Sequence, residues 1–211
     1  MSIEGKNISC SRGGIVLVSD FSFSIKKGEQ LAIKGANGSG KSTLIRLIAG
    51  LIPSPADTLF WEGEMVSKSN LSLYQQNLLY VGHKLCLYPQ ARVLDQLRLW
   101  QNLHKIPLKD MEQALNIWGV GALKDKQISH LSHGQQKRLS LSRCHWLKRR
   151  LWILDEPESG LDQEGHAILT EALSAHLGNG GCIVRATHDN REMANTVVVA
   201  SSLPSFGARG A

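Results

Sequence analysis

The residues best suited to chemistry begin at Gly35-Ala36-Asn37-Gly38-Ser39-Gly40-Lys41-Ser42, followed by Thr43, which fit the spacing GxxxxGK[ST]. Glycines at these intervals let main-chain N–H groups converge on phosphate oxygens, and a helix starting at the lysine adds its partial positive charge. Lys41 is the residue to reach β- and γ-phosphates, and the Ser42 hydroxyl is a ligand for Mg²⁺. A second group, Leu151-Trp152-Ile153-Leu154-Asp155-Glu156, is an apolar run that ends in two carboxylates. A phosphate loop needs such a partner: Asp155 to hold Mg²⁺, and Glu156, aimed differently, to polarise an attacking water as general base. Leu131-Ser132-His133-Gly134-Gln135-Gln136-Lys137-Arg138 reads on its own as a helix cap, and Asp162 as the N-cap of a later helix.

These residues need elements to position them. Leu31 to Lys34 is a short apolar run ahead of the glycine-rich turn, and Thr43 to Ile48 is helical, with a stop at Gly50 and Pro53. Leu151 to Leu154 and Cys182 to Ala186 are mostly apolar and bounded by polar turns, as expected of strands buried on both faces of a parallel sheet. Between them Ile168, Leu169, Ala172, Leu173 and Leu177 recur at helical spacing up to Gly178. From about 84 to 132 the pattern is helical: Val93, Leu97, Trp100 and His104 share a stripe, and Asp110 to Gln113 resembles a capping box ahead of Ala114, Leu115 and Trp118.

The 211 residues carry 24 Lys and Arg against 18 Asp and Glu, a surplus of +6 that suits nucleic acid, an anionic surface or a phosphate ligand without choosing among them. Cys10, Cys86, Cys144 and Cys182 are scattered, with no CxxC pair, so reduced thiols in a cytosolic chain are expected. No apolar stretch approaches the roughly 18 residues of a membrane span, and the N-terminus lacks the features of a secretion signal.

Taken in order, the motifs resemble the ABC transporter ATPase family, whose signature LSGGQ appears here as LSHGQ with His133 at the third position. The resemblance implies an α/β fold: a P-loop NTPase with a RecA-like parallel-sheet core, an antiparallel β subdomain and an inserted α-helical subdomain. It implies a single cassette, with core at about 1–83 and 136–200, helical subdomain at about 84–135 and a frayed tail at about 201–211. ATP and Mg²⁺ are the implied ligands. Ser132, Gly134 and Gln135 would meet the nucleotide of a second copy, Asp162 would act in the D-loop, and His188, in Thr187-His188-Asp189, would be the switch histidine beside the γ-phosphate. The segment Ser9 to Gly14 has no aromatic to stack on adenine, which leaves Arg12 to lie over the base or stay in solvent. The position of the usual Q-loop glutamine carries His83 or Lys84.

Five segments narrow the likeness: Leu44 to Leu51, Phe60 to Gly63, Asn77 to His83, Leu131 to Arg138 and Leu151 to Pro157. Together they resemble the CcmA family, ATP-binding subunits of cytochrome c maturation systems. That likeness implies a homodimer on integral membrane subunits of CcmB and CcmC type, peripheral at the cytoplasmic face of the inner membrane. It implies no direct contact with nucleic acid. The run Lys148-Arg149-Arg150 reads as a solvated helix end or a face toward anionic headgroups.

Overall fold

The computed structural model describes residues 2–12, 15–53, 58–187 and 196–200, the side chains of residues 11, 12, 15 and 196–200 excepted. The N-terminal part runs β1 (Ser2–Arg12), β2 (Ile15–Lys26), β3 (Gln30–Lys34), α1 (Lys41–Ile48), β4 (Leu59–Trp61), β5 (Glu64–Met65), α2 (Leu71–Gln76) and β6 (Leu78–Val81). Then follow α3 (Val93–His104), α4 (Leu108–Ile117), α5 (His133–Leu141), α6 (Arg143–Trp146), β7 (Leu151–Asp155), α7 (Gln163–Gly178), β8 (Cys182–Ala186) and β9 (Thr196–Ala200).

Two sheets result. The antiparallel one has the order β2-β1-β4-β5, and the parallel one β6-β7-β8-β3-β9. Successive side chains of a strand point to opposite faces, and β7 shows the consequence: Leu151 and Ile153 enter one apolar cluster, Trp152 and Leu154 the other. The first cluster joins the parallel sheet to α1 and the antiparallel sheet through Ile3, Ile8, Leu44 and Ile45. The second joins the opposite face to α3–α7 through Leu97, Met111, Trp118, Leu139 and Leu169. All five residues of β7 and of β8 are buried, which is why both runs read as mostly apolar. Among the described residues no helix is long and apolar enough to cross a membrane.

Local chemistry moves three expected boundaries. Helix α1 begins at Lys41 rather than Thr43, directly after Gly40 at φ +95°. Helix α4 begins at Leu108, because Pro107 fixes an extended conformation (φ −57°, ψ 137°) at the N-cap. Asp110 therefore lies in the first turn, where it complements the helix dipole, and caps nothing. Helix α7 includes Gly178; the reversal comes at Gly180, whose φ of +80° suits the residue after a helix end.

Candidate active site

Residues 35–40 connect β3 to α1 at one end of the parallel sheet. Gly38 (φ +79°) and Gly40 (φ +95°) turn the chain through the left-handed region. A Cβ on Gly40 would lie 3.0 Å from Leu17 Cβ, whereas one on Gly38 would meet nothing within 4 Å, so the outer side of the loop is open. Helix α1 has neither a side-chain cap nor an acid in its first turn; Thr43 N–H donates to Gly40 O (2.9 Å), which leaves the N–H groups of Lys41 and Ser42 to a ligand. The Ser39 hydroxyl is buried without a hydrogen-bond partner among the described residues. Lys41 is 4% exposed; its ammonium donates to Gly35 O (2.9 Å) and Ala36 O (3.0 Å) and stands 3.9 Å from Glu156 Oε1.

Strand pairing brings the carboxylates to the same end. Asp155 closes β7 opposite Ala186 of β8, and β8 pairs with β3. The Ser42 hydroxyl donates to Asp155 Oδ1 at 3.1 Å. Asp155 Oδ2 is buried and unpartnered among the described residues, an arrangement that demands another ligand. A hydroxyl and a carboxylate with one free oxygen fit the all-oxygen shell of Mg²⁺, which uses few protein ligands and keeps waters and phosphate oxygens.

Glu156 adopts φ +48°, unusual for a residue with a side chain. Its N–H donates to Ala186 O (3.0 Å), and its carbonyl accepts from Lys137 Nζ (2.9 Å). Beyond it, Glu158 pairs with Arg185 and accepts from Thr187 Oγ1 (3.1 Å), while Arg185 Nε donates to Gln30 Oε1 (3.1 Å). The turn after β7 is thus held from β3 and β8. Burial lowers the proton affinity of Lys137, and Glu158, Asp155 and Glu156 oppose that shift.

At α5, Ser132 Oγ accepts from Gln135 N–H (3.2 Å) while Gln135 Oε1 accepts from Ser132 N–H (3.0 Å), a complete capping box. This end of α5 packs on residues 159–162: a Cβ on Gly134 would lie 2.9 Å from Gly160 O, and one on Gly160 would lie 2.7 Å from His133 Nδ1. Asp162 caps α7 by accepting from Gly165 N–H (2.8 Å) and also pairs with Arg138. Those two contacts, the Gly165 N–H first, hold its carboxyl below the usual aspartate range. Arg138 is further held by Glu164 (2.9 Å) and Trp118 O (3.0 Å).

The structure therefore brings Lys41, Ser42, Asp155 and Glu156 together. No hydrogen bond or ion pair among the described residues joins Ser132, Gly134 or Gln135 to the loop of Gly35 to Thr43. His83 is exposed just after β6, whose Val81 pairs with Leu154, so it emerges at the same end of the sheet as Asp155. His188 and the Arg12 side chain lie outside the described residues. Sequence reasoning missed Lys137, Arg185, Glu158 and Gln30 as supports of the site. A lone Arg in the apolar run Cys182–Ala186 was the available signal, since a buried cation requires a partner.

The family described as ABC transporter matches residues 18–159. A cytochrome c biogenesis ATP-binding export protein CcmA of Vibrio parahaemolyticus is 35% identical over 190 residues, covering 89% of this chain and 92% of the relative. A protein of the same name in Rhodopseudomonas palustris is 38% identical over 188 residues, with the same two coverages. Among solved structures, an ATP-binding cassette captured as a dimer in a post-hydrolysis state with ADP and Pi superposes with a TM-score of 0.77 at 21% identity, covering 89% of this chain and 88% of that one. The last likeness concerns the fold.

Proposed function

The chain belongs to the ABC transporter family, among its CcmA-type ATP-binding proteins of cytochrome c biogenesis, and on that premise we propose how its residues hydrolyse ATP for a membrane complex. It is an ABC-type ATPase. The main-chain N–H groups of residues 35–43 (Gly35, Ala36, Asn37, Gly38, Ser39, Gly40, Lys41, Ser42 and Thr43) and the N-terminus of α1 hold the phosphates. Lys41 exchanges its two loop carbonyls for β- and γ-phosphate oxygens.

Ser42 and Asp155 would hold Mg²⁺, which would supply positive charge against the phosphates. Glu156 takes the proton of the attacking water, and His188 steadies the γ-phosphate. Ser132, Gly134 and Gln135 of a second copy close over the nucleotide, with Asp162 at the junction between copies. Arg12 is the side chain available to cover the base, and His83 or Lys84 stands at the Q-loop position. Closure moves the helical segment of about 84–135 and with it the attached membrane subunits, of CcmB and CcmC type, at the cytoplasmic face of the inner membrane. Export for cytochrome c biogenesis, the task in the relatives' name, becomes the task of the complex.

The observation that carries this reading is the 3.1 Å pair of Ser42 and Asp155, with the second Asp155 oxygen buried and unpartnered among the described residues. The test is Mg²⁺-dependent ATP turnover of the complex purified with its membrane subunits, wild type against Glu156→Gln. A general base contributes about 10²- to 10⁴-fold, so the variant should lose at least the lower figure while still binding ATP. Equal turnover removes Glu156 from its role. Recovery from detergent-solubilised membranes without any integral membrane protein removes the transporter assignment.

A further inference from the structure

Lys137 stands on α5 about one and a half turns beyond Ser132. It is 3% exposed, and its ammonium donates to the main-chain oxygen of Glu156 at 2.9 Å. Burying an ammonium carries a large desolvation cost, and an apolar side chain such as its neighbours Leu139 and Leu141 would fill space without it. The position therefore selects for something beyond packing. What the ammonium holds is a peptide with φ +48°, already tied on its other side by the Glu156 N–H to Ala186 O. Two bonds fix the main chain on either side of one Cα, and with it the direction of one carboxylate.

We propose that Lys137 is a positioning residue of the ATPase reaction: from the helix that opens with the signature residues, it fixes the backbone of Glu156 and so ties the base of one nucleotide site to whatever seats on Ser132 and Gly134. The proposal rests on the reading of Glu156 as general base. The same helix grips the next segment as well, through Arg138 on Asp162 and His133 on Gly160, so α5 holds both ends of the turn that carries the base. A load on its N-terminus from a second copy's nucleotide is transmitted over a few residues to Glu156 of its own site.

The test uses the complex with its membrane subunits and measures ATPase rate against ATP concentration, together with thermal midpoints. Lys137→Met keeps length and volume but has no donor; Lys137→Gln keeps a neutral donor on a shorter arm. Misplacement of a reacting group by about 1 Å costs on the order of a hundredfold. Lys137→Met is therefore expected to lower kcat at least tenfold with KM for ATP within twofold, and to bring the Hill coefficient toward one. Lys137→Gln should recover part of both, and it carries the test alone if the Met variant does not fold. Unchanged kcat in Lys137→Met, or a loss no larger than its unfolded fraction, overturns the proposal. If Glu156→Gln is inactive and Lys137→Met is not impaired, only Lys137 loses its role; if Glu156→Gln turns over as wild type, the base assignment has failed first.

Discussion

Helices α1 and α5 begin in opposite ways. The first starts after a left-handed glycine with no capping side chain: of the N–H groups of Lys41, Ser42 and Thr43, only that of Thr43 is taken up among the described residues, by Gly40 O at 2.9 Å, and no side chain competes for those of Lys41 and Ser42. The second is closed by Ser132 and Gln135, each satisfying a donor of the other. The difference teaches how one fold makes two kinds of phosphate contact. An uncapped N-terminus cradles an anion with main-chain donors. A capped one offers what the cap leaves over: the Ser132 oxygen accepts inward from Gln135 N–H, and its own proton is free to be donated outward. The first arrangement suits a resident nucleotide, the second a contact made and broken with each closure.

The largest expected effect breaks the open end. Lys41→Ala removes a buried cation that anchors the loop and would neutralise phosphate charge; charge-assisted bonds contribute about 1.5–3 kcal/mol each. ATP affinity measured by calorimetry should fall on the order of a hundredfold or more. Retained affinity would mean that backbone donors alone hold the ligand. Next come two glycines that test whether the loop's shape is required. Gly40→Ala combines φ +95° with a 3.0 Å approach to Leu17 Cβ, whereas Gly38→Ala meets strain alone. Strained backbone of this kind costs about 1–3 kcal/mol, so denaturant midpoints should place Gly40→Ala clearly below Gly38→Ala. The reverse order would show that the pocket, not Leu17, limits the loop.

The open end was legible in sequence because its determinants are local. Eight consecutive residues set glycine freedom, lysine and hydroxyl at fixed intervals, and Leu151 to Asp155 announced a strand that delivers carboxylates. Its partnership with Ser42 followed from chemistry, before the pairing of β3, β7 and β8 placed the two side by side. What was not legible is long-range. Glu158, Arg185, Thr187 and Gln30 meet across three strands or turns far apart in the chain. Lys137 was hidden for another reason: residues 137–142 are all buried, so α5 has no polar stripe to betray which way each side chain points, and its polar groups turn to carbonyls such as Glu156 O and Trp118 O. The Asp110 box failed because a proline three residues before the helix's acid overrode a pattern that looked sufficient.

Smaller effects sharpen the closed ends. Ser132→Ala deletes one half of the capping box, a loss of about 1 kcal/mol in stability, and Ser132→Asn restores an N-cap acceptor. Turnover of the assembled complex should stay low in both, since neither supplies the hydroxyl proton. If Asn restores turnover along with stability, the serine is a cap and nothing more.

The smallest effect is at the start of α7, where Asp162 combines the cap to Gly165 with the Arg138 pair. Both contacts depress its proton affinity, so the unfolded chain takes up the proton at higher pH than the folded chain. The stabilisation is whole above about pH 4, the unfolded aspartate range, and fades as pH falls through the depressed folded value. Asp162→Asn keeps a capping oxygen but no charge. Its urea midpoint should lie slightly below wild type at neutral pH, and the gap should close under about pH 4. The carboxylate is mostly exposed, so added salt should narrow the gap at neutral pH as well. A gap that persists unchanged at acid pH would mean that shape, not charge, joins α5 to α7, and Arg138 would then act through Trp118 and Glu164 alone.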